Sequence, residues 1–132
     1  MTAAATRPHI AALSALLTGA GLTVLPGGEG TPAPPCVVLW PTPGQVTPGS
    51  IGAPDSDLLV EITTVACGDT SDQAMWVADK ITATLSLAQP TIAGRNVLPA
   101  ILASSTPVSR DDSLAAPIYA TALRWRLLTT PA

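Results

Sequence analysis

The segment from Leu58 to Leu85 most constrains the fold, because two different periodicities follow one another in it. Its first part alternates in the manner of a β-strand. One face of this expected strand carries Leu58, Val60, Ile62, Thr64 and Ala66. The other face carries Leu59, Glu61, Thr63 and Val65. Both faces are largely apolar, which is typical of a central strand or of one covered on both sides.

A break at Cys67-Gly68-Asp69 separates the strand from an expected helix over Thr70 to Leu85. Thr70-x-x-Gln73 forms a capping box at the helix start. At about 100° per residue, one side of the helix collects the apolar residues Ala74, Val77, Ala78, Ile81 and Leu85. The opposite side collects Asp72, Trp76, Asp79, Lys80 and Ala83. The helix should therefore pack one side onto the strand.

Trp76 lies at the centre of the polar side of this helix, where a large aromatic residue is unexpected. Three interpretations are open. The ring could lie flat on its own helix over the Lys80 stem, it could be covered by another loop of the chain, or it could be buried by a neighbouring subunit. Tryptophan is enriched at the centres of interfaces, and this favours Trp76, with Gln73 and Lys80 beside it, as a subunit contact.

The composition points to a folded chain that assembles with partners. Hydrophobic residues make up 47% of the 132 residues and charged residues only 11%. Disorder needs the reverse balance, so the chain should fold, and part of its apolar surface should be covered by another molecule. The net charge is −3, and the six cations are scattered along the chain. This distribution argues against a phosphate-tracking nucleic-acid site and against a membrane-surface role. No segment approaches the roughly 20 apolar residues of a membrane span.

The remaining elements predict a single α+β domain over residues 1–132, with one mostly antiparallel sheet and two helices packed on one face. Thr6-Arg7-Pro8 is typical of a helix start, and a helix is expected to continue to about Ala20. Further strands are expected at Leu22–Leu25, Cys36–Trp40, Asn96–Val108 and Pro117–Thr129. Pro99 marks the third of these as an edge strand or a bulge, and Ser109–Ser113 is expected to be a polar turn.

The segment 41–57 is rich in proline and glycine and poor in charge. Loops of this length are uncommon unless they are functional or disordered. Val46 and Ile51 favour an arm that docks on a partner, and a mobile surface loop is the alternative.

No set of residues in the sequence predicts a catalytic, cofactor or metal site. His9 is the only histidine, and its position near a helix start suggests a surface residue. The aspartates mostly fall in turns and caps. The two cysteines, Cys36 and Cys67, match no zinc or redox spacing; they are expected to be buried free thiols, and a disulfide between them is the alternative.

Arg124 and Arg126 share one face of the last strand. Two cations at alternate positions repel each other unless they are solvated or paired, and Glu61 could pair with one of them if the two long strands are neighbours. A solvated or internally paired face is one interpretation. An intersubunit ion pair, or a face lining the opening of a ring, is the other.

The order of these elements resembles that of the tail terminator, or tail completion, proteins of long-tailed (siphovirus-like) bacteriophages. The resemblance covers nearly the whole chain as a pattern rather than as a unique motif. It is carried by the helix Pro8–Ala20, by the run Leu58-Leu59-Val60-Glu61-Ile62 through Gly68-Asp69-Thr70, Gln73-Ala74 and Val77-Ala78, by Pro107-Val108-Ser109-Arg110-Asp111, and by the final alternating strand.

This resemblance implies a virion structural protein rather than an enzyme. Such a protein forms a homo-hexameric ring that caps the tail tube, ends its polymerisation and joins the tail to the neck of the filled head. The implied partners are the tail tube protein and the head-completion or stopper protein, with DNA able to pass through the ring and no membrane involved. The implied location is the tail–neck junction of a virion assembled in the host cytoplasm. The alternatives are another head–tail connector, such as a stopper or adaptor, and a small cytosolic ligand-binding or enzyme domain.

Overall fold

The computed structural model describes residues 6–27, 29–47, 57–113 and 116–132, with the backbone alone at positions 46 and 47. Within these ranges the chain forms the helices α1 (Thr6–Gly19) and α2 (Ser71–Leu85). The strands in the same ranges are β1 (Val24–Pro26), β2 (Cys36–Pro41), β3 (Gln45–Thr47), β4 (Asp57–Gly68), β5 (Arg95–Val97), β6 (Ile101–Ser105), β7 (Ser109–Asp111) and β8 (Ile118–Pro131).

All of these strands belong to one sheet, whose main path runs β1-β2-β4-β8-β5. β1 and β2 are parallel, and the other pairings are antiparallel. β4 lies between β2 and β8. β3 pairs with β4 along the same edge as β2, and β6 and β7 pair with β8 along the same edge as β5. The predicted α+β class with a single, mostly antiparallel sheet is therefore confirmed, and β4 is the central strand that its two apolar faces indicated.

Both helices pack on the same face of this sheet. The register places Val60 opposite Leu127 and Ile62 opposite Trp125, and these four side chains are buried with residues of α1 and α2 in one core. The inner side of α2 consists of the residues that the helical wheel assigned to it: Ala74, Val77, Ala78, Ile81 and Leu85. The Trp125 indole N–H donates to Thr64 Oγ1 over 3.2 Å, so the one polar atom of this large core side chain has a partner.

The connection from β4 to α2 is a tight turn stabilised by hydrogen bonds. Thr70 is the N-cap, and its hydroxyl accepts the Gln73 amide over 3.1 Å, as the capping box predicts. Gln73 Oε1 accepts the backbone amide of Asp69 over 2.6 Å, rather than the amide of Thr70. Gly68 has no room for a side chain, because a Cβ there would lie 2.3 Å from the backbone nitrogen of Ala74.

The start of α1 confirms one expectation and corrects another. Within the described residues the helix begins at Thr6, as Thr6-Arg7-Pro8 predicted, and the Thr6 hydroxyl accepts the Gly44 amide over 2.9 Å, which ties the helix to the segment before β3. His9 is not a surface residue. It is 1% exposed, and its Nε2 lies 2.7 Å from Thr129 Oγ1 on β8. The sequence expectation for His9 was wrong because its partner is distant along the chain.

The stretch after α2 contains more strand than expected. The predicted strand over Asn96–Val108 is divided at Pro99 into β5 and β6, both at the edge of the sheet, as proline indicated. The expected turn at Ser109–Ser113 was partly wrong, because Ser109–Asp111 pairs with β8 as β7. Asp111 then closes the turn by accepting from the Ser113 amide and hydroxyl, and these bonds lower the pKa of the Asp111 carboxyl.

Candidate interaction surfaces

The Trp76 side chain is an exposed aromatic surface on the outer side of α2. It is 51% exposed, and Lys80 Nζ lies 4.9 Å from the centre of its ring. At an exposed site, the interaction between a cation and an aromatic ring in this position contributes about 0.5–1 kcal/mol to stability. Of the three interpretations, the arrangement over Lys80 is the one seen in the single chain, and the described part of the chain does not bury the ring. Burial by a neighbouring subunit stays a prediction.

Gln73 and Lys80 each have a role within the chain besides the predicted contact role. Gln73 is half-buried and its side chain is engaged by the Asp69 amide at the helix start. Lys80 is half-buried and stacks on Trp76. Trp76 is therefore the residue of this group with the largest free surface.

The face of the sheet without helices, here called the helix-free face, carries the two arginines of β8. Arg126 Nε lies 3.3 Å from Glu61 Oε1, and the two residues are directly opposite in the β4–β8 register. This is the internal pair that the sequence proposed as one alternative. Arg124 is exposed and lies opposite Thr63; in the part of the chain that the structure describes, it forms no ion pair.

The helix-free face also carries a groove, called here the Leu98 groove, which the sequence did not predict. Its volume is about 410 Å³, and its wall is formed by Leu59, Leu87, Leu98, Ile101 and Leu128 together with Arg126. Leu87 is 70% exposed and Ile101 is 60% exposed, so the groove is an open apolar surface. The signal in the sequence was the pair of large apolar residues on either side of Pro99, in a segment already assigned to a sheet edge.

Leu87 occupies a strained position in the wall of the Leu98 groove. Its φ is 60°, in the left-handed region that glycine usually occupies just beyond a helix end. The Leu87 amide donates to the Ala100 carbonyl over 2.9 Å, which holds this conformation against the segment before β6. Leu87 therefore exposes a large apolar side chain to solvent even though its left-handed backbone conformation is unfavourable for a residue with a side chain.

The two cysteines form a cross-strand pair at the other end of the helix-free face. Cys36 and Cys67 are opposite each other in the β2–β4 register, and both are buried free thiols. A hydrogen bond from the Cys67 thiol lowers the pKa of Cys36 to about 7, and the same bond together with burial raises the pKa of Cys67. Apolar neighbours including Val38 and Ile118 surround the pair, which places it in a small second core.

The described residues contain no cluster of side chains that could hold a metal ion. Among them, no three His, Cys, Asp or Glu side chains are close enough to hold an ion. His9 is held in the core by Thr129. No helix within the described ranges is long and apolar enough to cross a membrane.

Two predicted contact residues cannot be placed as side chains. The backbone of Val46 pairs with Leu58 in β3, so the start of the segment 41–57 joins the sheet. Its side chain, and the whole of Ile51, lie outside the described residues. The choice between a docking arm and a surface loop at 48–56 therefore stays a prediction.

The fold is similar to that of a chain in a solved structure described as the virion of a native gene transfer agent particle. The two chains superpose with a TM-score of 0.60 over 92% of this chain and 93% of the other, at 13% sequence identity. No family model and no curated protein matches the sequence. At this identity the likeness concerns the fold alone, and it extends over nearly the full length of both chains.

Proposed function

We propose that this protein is a structural component of a phage-like virion, and specifically the tail terminator: the subunit of a ring that caps the tail tube. The proposal is carried by the fold that the chain shares, over nearly its whole length, with a chain of the gene transfer agent virion. It is supported by the order of sequence elements, which resembles that of tail terminators.

The exposed apolar residues give the proposal a physical basis. Large hydrophobic side chains that are more than a third exposed occur on α2, on β2 and around β6, and they include Trp76, Trp40, Leu87 and Ile101. Only 11% of the residues are charged, so little charged surface offsets them. Surfaces of this kind are usually covered in an assembly.

On this proposal the subunits form a homo-hexameric ring at the tail–neck junction. One side of the ring meets the tail tube protein, and the other meets the head-completion or stopper protein. The proposed contact residues are Trp76, Gln73, Lys80, Val46, Ile51, Glu61, Arg124 and Arg126. The protein performs no chemical step; it acts by ending tube polymerisation and presenting a joining surface.

The decisive experiment is deletion of the gene from the particle-producing genome, followed by electron microscopy of the lysate. The expected result is filled heads together with tails that are overlong or unjoined. Leaky heads beside tails of normal length would instead assign the protein to the stopper class. Normal, joined particles would refute any role at this junction. Expression of the protein from a plasmid should restore normal particles, which controls for effects on neighbouring genes.

A further inference from the structure

Two apolar surfaces of this chain lie on opposite sides of the molecule. Trp76 projects from the outer side of α2, which covers one face of the sheet. The Leu98 groove lies on the helix-free face, where Leu59 of β4 is directly opposite Leu128 of β8. One copy cannot bring these surfaces together, because its own sheet lies between them.

We propose that Trp76 of one copy inserts into the Leu98 groove of a second copy. This inference rests on the proposed ring and identifies the contact that would build it. The groove is apolar and, at about 410 Å³, is large enough for an indole ring. Burial of a tryptophan removes about 150–250 Å² of surface from water, which makes this side chain a suitable anchor.

The charges around the two surfaces match when the second copy is docked in one direction. Asp72 lies one turn before Trp76, and Lys80 lies one turn after it. On the helix-free face, Arg124 lies toward one end of the groove, and Asp57, at the start of β4, lies toward the other. A second copy oriented with its Asp72 toward Arg124 pairs these two opposite charges. At the other end, its Asp79 and Lys80, which are neighbours on the same side of α2, both lie toward Asp57 and offset each other.

A contact between two different surfaces is heterologous, and it leaves one surface of each kind free on the resulting dimer. Further copies add in the same way; they close into a ring where the rotation between neighbours allows it and form an open filament where it does not. Isologous pairing of two Trp76 surfaces would end at a dimer. The proposed contact therefore accounts for ring formation from one kind of interface.

The test uses two variants that each lose one surface, Trp76→Ala and Leu98→Asp. Either change should weaken self-association at least about 30-fold, the effect of losing a central anchor residue. Native mass spectrometry should show a ring for the wild type and monomers for each variant. Mixing the two variants should give a one-to-one heterodimer, because the intact groove of the first accepts Trp76 of the second.

The controls are matched in exposure and lie outside the proposed contact. Met75 is 46% exposed beside Trp76, and Leu102 is on β6 opposite the core residue Trp125. Met75→Ala and Leu102→Asp should leave the ring intact. Near-ultraviolet circular dichroism checks that each variant is folded, and Ile101→Asp replaces Leu98→Asp if the latter does not fold.

Each outcome has a distinct meaning. Rings that persist in both variants overturn the Trp76 contact and leave the terminator proposal standing. Monomeric variants that do not combine on mixing also overturn the contact, because the two surfaces then do not bind each other. A wild-type protein that stays monomeric at all concentrations contradicts the ring itself. Arg124→Asp should weaken the ring, and Asp72→Arg in the same chain should restore it; failure of this rescue overturns the docked orientation.

Discussion

Replacement of Gly68 by alanine is expected to loosen the contact between β4 and α2. A Cβ at this position would lie 2.3 Å from the Ala74 backbone nitrogen and 2.8 Å from the Gln73 carbonyl carbon. Both neighbours are backbone atoms of the first turn of α2, so no side-chain rotation can relieve the contact. The helix start must move by about 1 Å to reach an ordinary van der Waals distance.

The cost of this movement can be bounded from what the first turn of α2 contacts. Ala74 and Val77 are fully buried on the core side of α2, and Ala74 donates its amide to Thr70 at the helix cap. Overpacking of a well-packed interior typically costs 1–3 kcal/mol, and disturbance of the cap adds about 1 kcal/mol. We therefore expect Gly68→Ala to lower the free energy of unfolding by about 3 kcal/mol, a large share of the 5–15 kcal/mol of a typical domain.

Urea unfolding followed by tryptophan fluorescence measures this loss. With a slope of about 1–3 kcal/mol per molar urea, the midpoint should fall by about 1–3 M. Gly19→Ala is the matched control, because no atom lies within 4 Å of a Cβ built there and Gly19 is at the end of α1. The control should change stability by less than about 1 kcal/mol. Equal midpoints for the two variants would refute the steric argument.

Three further predictions concern Thr129, Leu87 and the cysteine pair. Thr129→Val removes a hydroxyl that lies 2.7 Å from His9 Nε2 and 3.1 Å from Arg95 Nε. The change should lower the free energy of unfolding, measured in urea, by about 1–3 kcal/mol. An unchanged urea midpoint would contradict this prediction. Leu87→Gly should raise stability by about 1 kcal/mol by relieving the left-handed backbone, whereas Leu87→Ala should give no such gain. Cys36 and Cys67 should resist iodoacetamide in the native protein because both are buried, and both should react in denaturant; rapid native labelling would show that this second core opens.

The local periodicities predicted most of the fold because they act within one element. The inner side of α2 and the two faces of β4 followed from side-chain spacing alone. A pair between Glu61 and one of the β8 arginines could be predicted because the spacing assigned each residue to a face of its strand. What the sequence did not establish was that the two strands are neighbours.

What the sequence did not predict depends on contacts between distant parts of the chain. His9 is buried because β8 places Thr129 beside α1, and no pattern near His9 encodes that neighbour. The Leu98 groove forms only when the turn after α2 and the edge strands meet β4 and β8. Its residues come from separate parts of the chain, so no single sequence motif contains them.

Two tryptophans show why folding of a single chain does not explain all of this sequence. Trp125 is 1% exposed, and its indole N–H is satisfied by Thr64; removal of its ring would cost about 3–5 kcal/mol. Trp76 is half exposed and contacts Lys80, so its removal should cost the monomer no more than about 1 kcal/mol. Trp76 is not part of the hydrophobic core. Leu87 exposes its side chain although its backbone is in the unfavourable left-handed conformation. Apolar groups that contribute so little to the monomer are best explained by an assembly that buries them.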